Sequence, residues 1–191
     1  MRIAVSGTHC SGKSTLVEEF LLQHHSYEHE PEAYEALHEL SDAFPEPTAE
    51  SFFAQLAYHV NRLHLYRQGD RVIFERSPFD YVAYLAAFSS LKRSSADSYL
   101  AKQSVSIARD AVRLLDMIVF LPGSEIDAVS DDEDPTLRDA VDTILEDYLI
   151  NDALGVLGAS GPYVVQLTGS INARLRTVEL LMASLVKEGV G

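Results

Sequence analysis

The sequence predicts an α/β protein: a three-layer α/β/α sandwich around a five-stranded parallel sheet, with a short lid. Three observations carry this. Short apolar runs alternate with stretches whose apolar residues recur at helical spacing, the pattern of parallel strands joined by crossover helices. The later runs are almost continuously apolar, as in strands covered on both faces. The first run and the first helix meet at a glycine loop, Gly7-Thr8-His9-Cys10-Ser11-Gly12-Lys13-Ser14.

Arg2 to Ser6 is the first strand, and Leu16, Val17, Phe20 and Leu21 mark the helix that follows Gly12. Further strands are expected near Tyr27 to Glu30 and at Arg71 to Glu75, Met117 to Leu121 and Tyr163 to Leu167. Between them Phe53, Leu56, Val60 and Leu63 form one helical stripe, and Tyr81, Tyr84, Leu85 and Phe88 a second. Leu137, Val141, Ile144, Leu145 and Tyr148 form a third, and Leu175, Val178, Met182 and Leu185 a fourth. Ser77 before Pro78 and Asp134 before Pro135 are caps followed by a first-turn proline. The stretch from Pro122 to Pro135 holds Glu125, Asp127, Asp131, Asp132, Glu133 and Asp134 without a Lys or Arg. It reads as an exposed loop, and places the lid region at about 122–138. No repeat or low-complexity linker interrupts the chain, so one domain, 1–191, is expected.

The 191 residues carry a formal net charge of −14. Such a field repels polyanions, which argues against nucleic acid or an anionic membrane as partner. No apolar run approaches the ~20 residues of a membrane span, and Cys10 stands alone, so no internal disulfide can form. A soluble, cytoplasmic protein is the expectation, open to a homodimer.

The glycine loop matches G-x-x-x-x-G-K-[ST] in full and lies between a strand and a helix, the context in which it cradles nucleotide phosphates. Gly7 and Gly12 let the backbone turn so that its N–H groups, with the helix N-terminus, surround a phosphate. Lys13 can bridge β- and γ-phosphates, and the Ser14 hydroxyl can ligate Mg²⁺. The nucleotide-binding set therefore runs through Gly7, Thr8, His9, Cys10, Ser11, Gly12, Lys13, Ser14 and Thr15, with ATP and Mg²⁺ as cofactors. Cys10 reads as a tolerated small residue. No Asn/Thr-Lys-x-Asp guanine reader is present. Asp116 stands at the start of its strand, whereas ligands bind beyond the carboxyl ends. Glu75, which closes Arg71-Val72-Ile73-Phe74, is the carboxylate at the proper end, with Arg76 and Ser77 directly after it.

Glu75-Arg76-Ser77, followed by Asp80 and Tyr81, resembles the Glu-Arg-Ser segment of the deoxynucleoside kinase family and is similar to the Asp-Arg-Ser-Pro segment of related small P-loop kinases. Glu30-Pro31 resembles the family's Glu-Pro segment, and Ser51-Phe52-Phe53-Ala54-Gln55 its base-reading helix. These matches cover roughly the first 80 residues. The resemblance implies a Mg·ATP-dependent phosphotransferase for a small-molecule hydroxyl, such as that of a nucleoside or a nucleotide-like acceptor. It implies Glu30 as general base, Glu75 as metal ligand beside Ser14, and Lys13 and Arg76 as partners of the phosphoryl charge. Phe52 and Gln55, one helical turn apart, would stack on and hydrogen-bond a planar base.

The lid of related kinases contributes an arginine. Here that role is left to Arg138, at the start of the following helix. Gly169-Ser170 with Arg174 resembles the loop and arginine on which such kinases rest adenine. Related monophosphate kinases place an arginine after Glu-Pro, and Glu32, Ala33 and Tyr34 stand there instead, which favours an uncharged acceptor. Asp80 is explained by a Ser77-x-x-Asp80 capping box. His24, His25 and His29 lack acidic or thiolate companions at fixed spacing and read as surface residues. Two rivals stay open: an ATP-binding regulatory module or slow ATPase, and a kinase of another metabolite.

Overall fold

Successive strand residues point to opposite faces of a sheet, and the two faces of this one bury different cores. The computed structural model describes residues 1–40, 47–91, 97–123, 134–158, 161–187 and 189. Five strands, β1 (Arg2–Ser6), β2 (Glu28–Glu30), β3 (Val72–Glu75), β4 (Met117–Phe120) and β5 (Tyr163–Gln166), pair in the order β2-β3-β1-β4-β5, all parallel. The helices are α1 (Lys13–Gln23), α2 (Ala33–Leu40), α3 (Ala49–Leu65), α4 (Pro78–Ser90), α5 (Asp97–Val112), α6 (Pro135–Leu149) and α7 (Ile171–Lys187). Ala4, Val72, Phe74, Ile118 and Phe120 pack with residues of α3 to α6. Ile3, Val5, Ile73, Met117 and Val119 pack on the other face with residues of α1 and α7. This is the expected three-layer sandwich.

The loop after β1 leads to α1 on one face, and the loop after β3 leads to α4 on the other. Neighbouring strands whose exits diverge leave a crevice beyond their carboxyl ends, the place where open α/β sheets bind ligands. At the opposite end Asp116 accepts a bond from the Arg2 backbone N–H at 2.6 Å and pairs with the Arg2 guanidinium at 3.0 Å, a structural role far from that crevice.

Two features depart from expectation. β3 and β4 are buried throughout, but β5 is not covered on both faces: Tyr163 is 44% exposed and Gln166 faces solvent. β5 is an edge strand, and α6 and α7 lean on α4 and α1, toward the middle of the sheet. Helices α2 and α5 are not among the expected helices, although each carries apolar residues at helical spacing, Ala33, Ala36, Leu37 and Leu40 in α2 and Leu100, Ile107, Ala108 and Ala111 in α5. The buried face of α5 is built from Ser104, Ala108, Ala111 and Val112, with Leu100, Val105 and Ile107 half-buried against the same core. Of the acidic stretch, residues 124–133 lie outside the described residues. Asp134 caps α6, accepting from the Thr136 and Leu137 N–H groups at 2.9 and 3.2 Å, with Pro135 in the first turn. Among the described residues no helix is long and apolar enough to cross a membrane.

Candidate active site

β1 ends at Ser6, and the chain turns at once through Gly7 at φ 151°. A Cβ there would lie 2.4 Å from the Leu121 carbonyl oxygen and 2.5 Å from Ser11 Oγ, so only glycine fits. Gly12, left-handed at φ 87°, starts α1 with no side-chain cap, and the first N–H groups of that helix keep their free direction toward the loop. Lys13 is buried, and its Nζ donates to the Thr8 carbonyl at 2.8 Å. Burial, and next the Arg76 charge, draw its ammonium down to about 8. His9 and Cys10 are exposed on the outer turn, Cys10 at φ 58°. Arg174, in the first turn of α7, donates to the Ser11 carbonyl at 3.1 Å and lies over the loop. Thr15 is exposed beside Ser14 at the same helix end.

Ser14 Oγ donates to Glu75 Oε2 at 2.8 Å, joining the helix start to the end of β3. Parity explains the meeting. Ile73 belongs to the α1 face, so Glu75, two residues on, points there too. A hydroxyl and a carboxylate beside the phosphate loop form an all-oxygen set suited to a hard divalent cation, so Ser14 and Glu75 fit Mg²⁺. His29, opposite Ile73 on β2, reaches the other oxygen, Glu75 Oε1, at 3.1 Å. This hydrogen bond holds the imidazole above its ordinary value. The sequence reading of His29 as a plain surface residue missed a contact that spans two strands.

Arg76 follows Glu75 with φ 73°, a conformation uncommon outside glycine. This turns its side chain into the crevice, where Nε meets Glu32 Oε1 at 3.0 Å. Its other contacts are the Gly7 carbonyl at 3.3 Å, Asp80 at 3.6 Å and the Tyr84 ring face at 5.3 Å. Lys13 Nζ lies 3.7 Å from the same Glu32 oxygen. Burial alone would raise the Glu32 carboxyl, but Arg76 and Lys13 outweigh it and hold it below the ordinary value. Asp80 does more than close the capping box with Ser77. Fully buried, it also accepts from the Gly7 N–H at 3.0 Å and from Ser6 Oγ at 2.6 Å, tying the phosphate loop to the β3–α4 turn.

Residues 2–174 match the family described as an AAA domain. The chain belongs to the AAA-domain family. Among solved structures, this AAA domain is similar to thymidylate kinase from Ehrlichia chaffeensis, at 16% identity over 95% of this chain and 98% of that one, TM-score 0.60. It is similar to thymidylate kinase from Candida albicans, at 15% identity over 96% and 91%, TM-score 0.62. It is also similar to deoxyadenosine kinase from M. mycoides, at 14% identity over 96% and 100%, TM-score 0.64. At these identities the likeness is one of fold, and it agrees with the five-stranded parallel sheet above. No curated protein matches the chain in sequence.

The AAA domain places Glu30 differently from the expectation for a general base. Glu30 pairs with Phe74 in the sheet register and so points to the α3 face. There Arg62 grips both its oxygens, at 2.9 Å from Nε and through a short contact from the terminal nitrogen, and the Tyr66 hydroxyl donates a third bond. Burial would raise this carboxyl, but those bonds hold it low. The carboxylate that reaches Lys13 and Arg76 is Glu32, two residues further on, and its signal in the sequence was only its nearness to Glu30-Pro31.

Phe52 and Gln55 do share one face of α3, and both are buried. Phe52 already stacks on Tyr84, with centroids 4.3 Å apart and planes 7° apart, so one ring face is covered. One turn beyond Gln55 stands His59, unnoticed in the sequence. It packs against Phe74 and Tyr81, and no partner among the described residues reaches its Nε2. Burial drives its pKa to about 3, leaving a neutral ring. Arg138 is buried near the start of α6 and donates to the Gly123 carbonyl at 2.9 Å. Gly123 approaches Thr8 so closely that a Cβ would lie 2.6 Å from Thr8 Oγ1, which puts Arg138 one residue away from the phosphate loop.

Proposed function

We propose that this AAA domain is a kinase that transfers the terminal phosphoryl group of ATP, with Mg²⁺, to a hydroxyl of an uncharged small molecule, a nucleoside being the acceptor class we favour. The observation that carries the reading is the convergence of Lys13, Arg76 and Glu32 in the crevice between β1 and β3, beside the Ser14–Glu75 pair. A site built only to bind nucleotide needs the loop, the lysine and the metal ligands. A carboxylate held at the lysine by a buried arginine adds a group able to receive the proton of an acceptor hydroxyl.

In this reading Gly7 to Thr15 bind the phosphates, Arg174 flanks the nucleotide, and Ser14 and Glu75 hold the cation. Mg²⁺ supplies neutralisation of phosphate charge and orientation of the phosphate oxygens. Lys13, Arg76 and Arg138 carry the remaining charge. Glu32 takes the base role first expected of Glu30, because the oxygens of Glu30 are committed to Arg62 and Tyr66. The proton of the acceptor hydroxyl would pass to a Glu32 carboxylate oxygen. Phe52, Gln55 and neutral His59 line the α3 side, where an uncharged heterocycle would find an aromatic edge and unionised hydrogen-bonding groups. Arg62, a cation on that side, is engaged by Glu30, and Arg76 by Glu32, which supports an acceptor without a phosphate. Solved structures similar in fold to this chain include kinases whose names specify thymidylate and deoxyadenosine.

The test is ADP release from Mg·ATP with a panel of nucleosides, nucleoside monophosphates and nucleotide-cofactor precursors. The proposal predicts acceptor-dependent release with at least one nucleoside and little with monophosphates. Release that no acceptor accelerates would leave a slow ATPase or sensor in its place.

A further inference from the structure

The two oxygens of Glu75 are held from opposite sides. Oε2 accepts from Ser14 Oγ at 2.8 Å, and Oε1 lies 3.1 Å from His29 Nε2. The His29 side chain is 35% exposed, whereas that of Glu75 is 8% exposed. Strand register makes this geometry. His29 stands opposite Ile73, so its ring shares the α1 face and leans one pleat along the sheet toward Glu75. Bonded at one oxygen only, a glutamate head can still rotate about its last torsion, which is broad. Bonded at both, it presents Oε2 to the helix start in one orientation.

We propose that His29 is a positioning residue for the metal site: in the tautomer with hydrogen on Nε2 it donates to Glu75 Oε1 and orients Glu75 Oε2 toward the cation shared with Ser14. Imidazoles and carboxylates one shell out from a metal commonly set the orientation and basicity of the ligand they touch, and their loss weakens metal binding about 10- to 100-fold. The inference rests on the nucleotide-and-metal half of the reading above and is independent of the acceptor. His29 sits on an edge strand and is partly exposed, so its replacement leaves both cores intact.

The experiment reads binding, not turnover. Metal-depleted protein with a fixed concentration of ATP is titrated with MgCl₂, and the Mg²⁺ concentration giving half-maximal thermal stabilisation is recorded for wild type, His29→Leu and His29→Gln. His29→Leu should raise that concentration about tenfold, while ATP binding in EDTA stays as in wild type. His29→Gln, whose amide can donate to the same oxygen, should restore most of the loss. An unchanged midpoint in His29→Leu, or a His29→Gln protein as defective as His29→Leu, would overturn the proposal. A wild-type protein with no Mg²⁺-dependent stabilisation by ATP would overturn the nucleotide-site reading and this inference with it, a result distinct from failure of the variants alone.

Discussion

Lys13 keeps its charge in a buried place, with the Thr8 carbonyl and Glu32 as its contacts and Arg76 nearby as a repelling neighbour. Phosphate oxygens would replace the weaker of these contacts. Lys13→Ala should therefore abolish the thermal stabilisation given by Mg·ATP, and with it turnover, while the nucleotide-free protein still folds. Full stabilisation of the variant by Mg·ATP would contradict the placement of the nucleotide. The loop residues and Glu75 were legible in the sequence because each sits at a strand end with a motif around it. Glu32 was not, because the choice between two carboxylates two residues apart depends on where β2 stops. Glu30 is the last strand residue and points into α3, whereas Glu32 lies past the strand and turns back toward Arg76.

At the scale of elements, the turn between β3 and α4 organises the crevice. Its capping box was readable from Ser77 and Asp80, but the further bonds from Asp80 to Gly7 and Ser6 join segments more than 70 residues apart, which no local pattern encodes. Helix α3 presents a second case, since His59 lies between Leu56 and Leu63 on the buried side of the helix and was not singled out in the sequence. Its ring is 3% exposed. An unfolded chain takes up the imidazole proton near the ordinary 6.5, but the folded protein declines it until about 3. Stability should therefore fall as pH drops through that window, since the unfolded state binds more protons there. His59→Leu removes this dependence. Relative to wild type it should gain about 2 kcal/mol between pH 7.5 and pH 5, at about 1.4 kcal/mol per unit. Urea unfolding of both proteins at the two pH values measures this, and parallel pH dependences would show that the ring is not held neutral. Helix α5 escaped notice for a different reason: its most deeply buried positions, Ser104, Ala108, Ala111 and Val112, are smaller than the Phe, Tyr and Leu that mark α3 and α4.

For the molecule as a whole, the sheet divides the chemistry. The α1 face carries Ser14 and Glu75, the pair suited to the cation, with His29 bonded to Glu75, and the α3 face carries Glu30, His59 and Gln55. Between them, at the mouth of the β1–β3 crevice, Lys13, Arg76 and Glu32 meet. The alternation of strands and helices made this architecture legible. The formal charge of −14 makes these buried cations a local exception in an acidic protein. The proposed transfer depends on Glu32 acting on an acceptor, and the most direct measurement is acceptor-dependent ADP release by Glu32→Gln at saturating Mg·ATP, beside Glu30→Gln. Glu32→Gln should keep nucleotide binding and lose about 10²- to 10⁴-fold in transfer, the usual contribution of a general base. Glu30→Gln should lose far less. A Glu32→Gln protein with full acceptor-dependent activity would contradict the account.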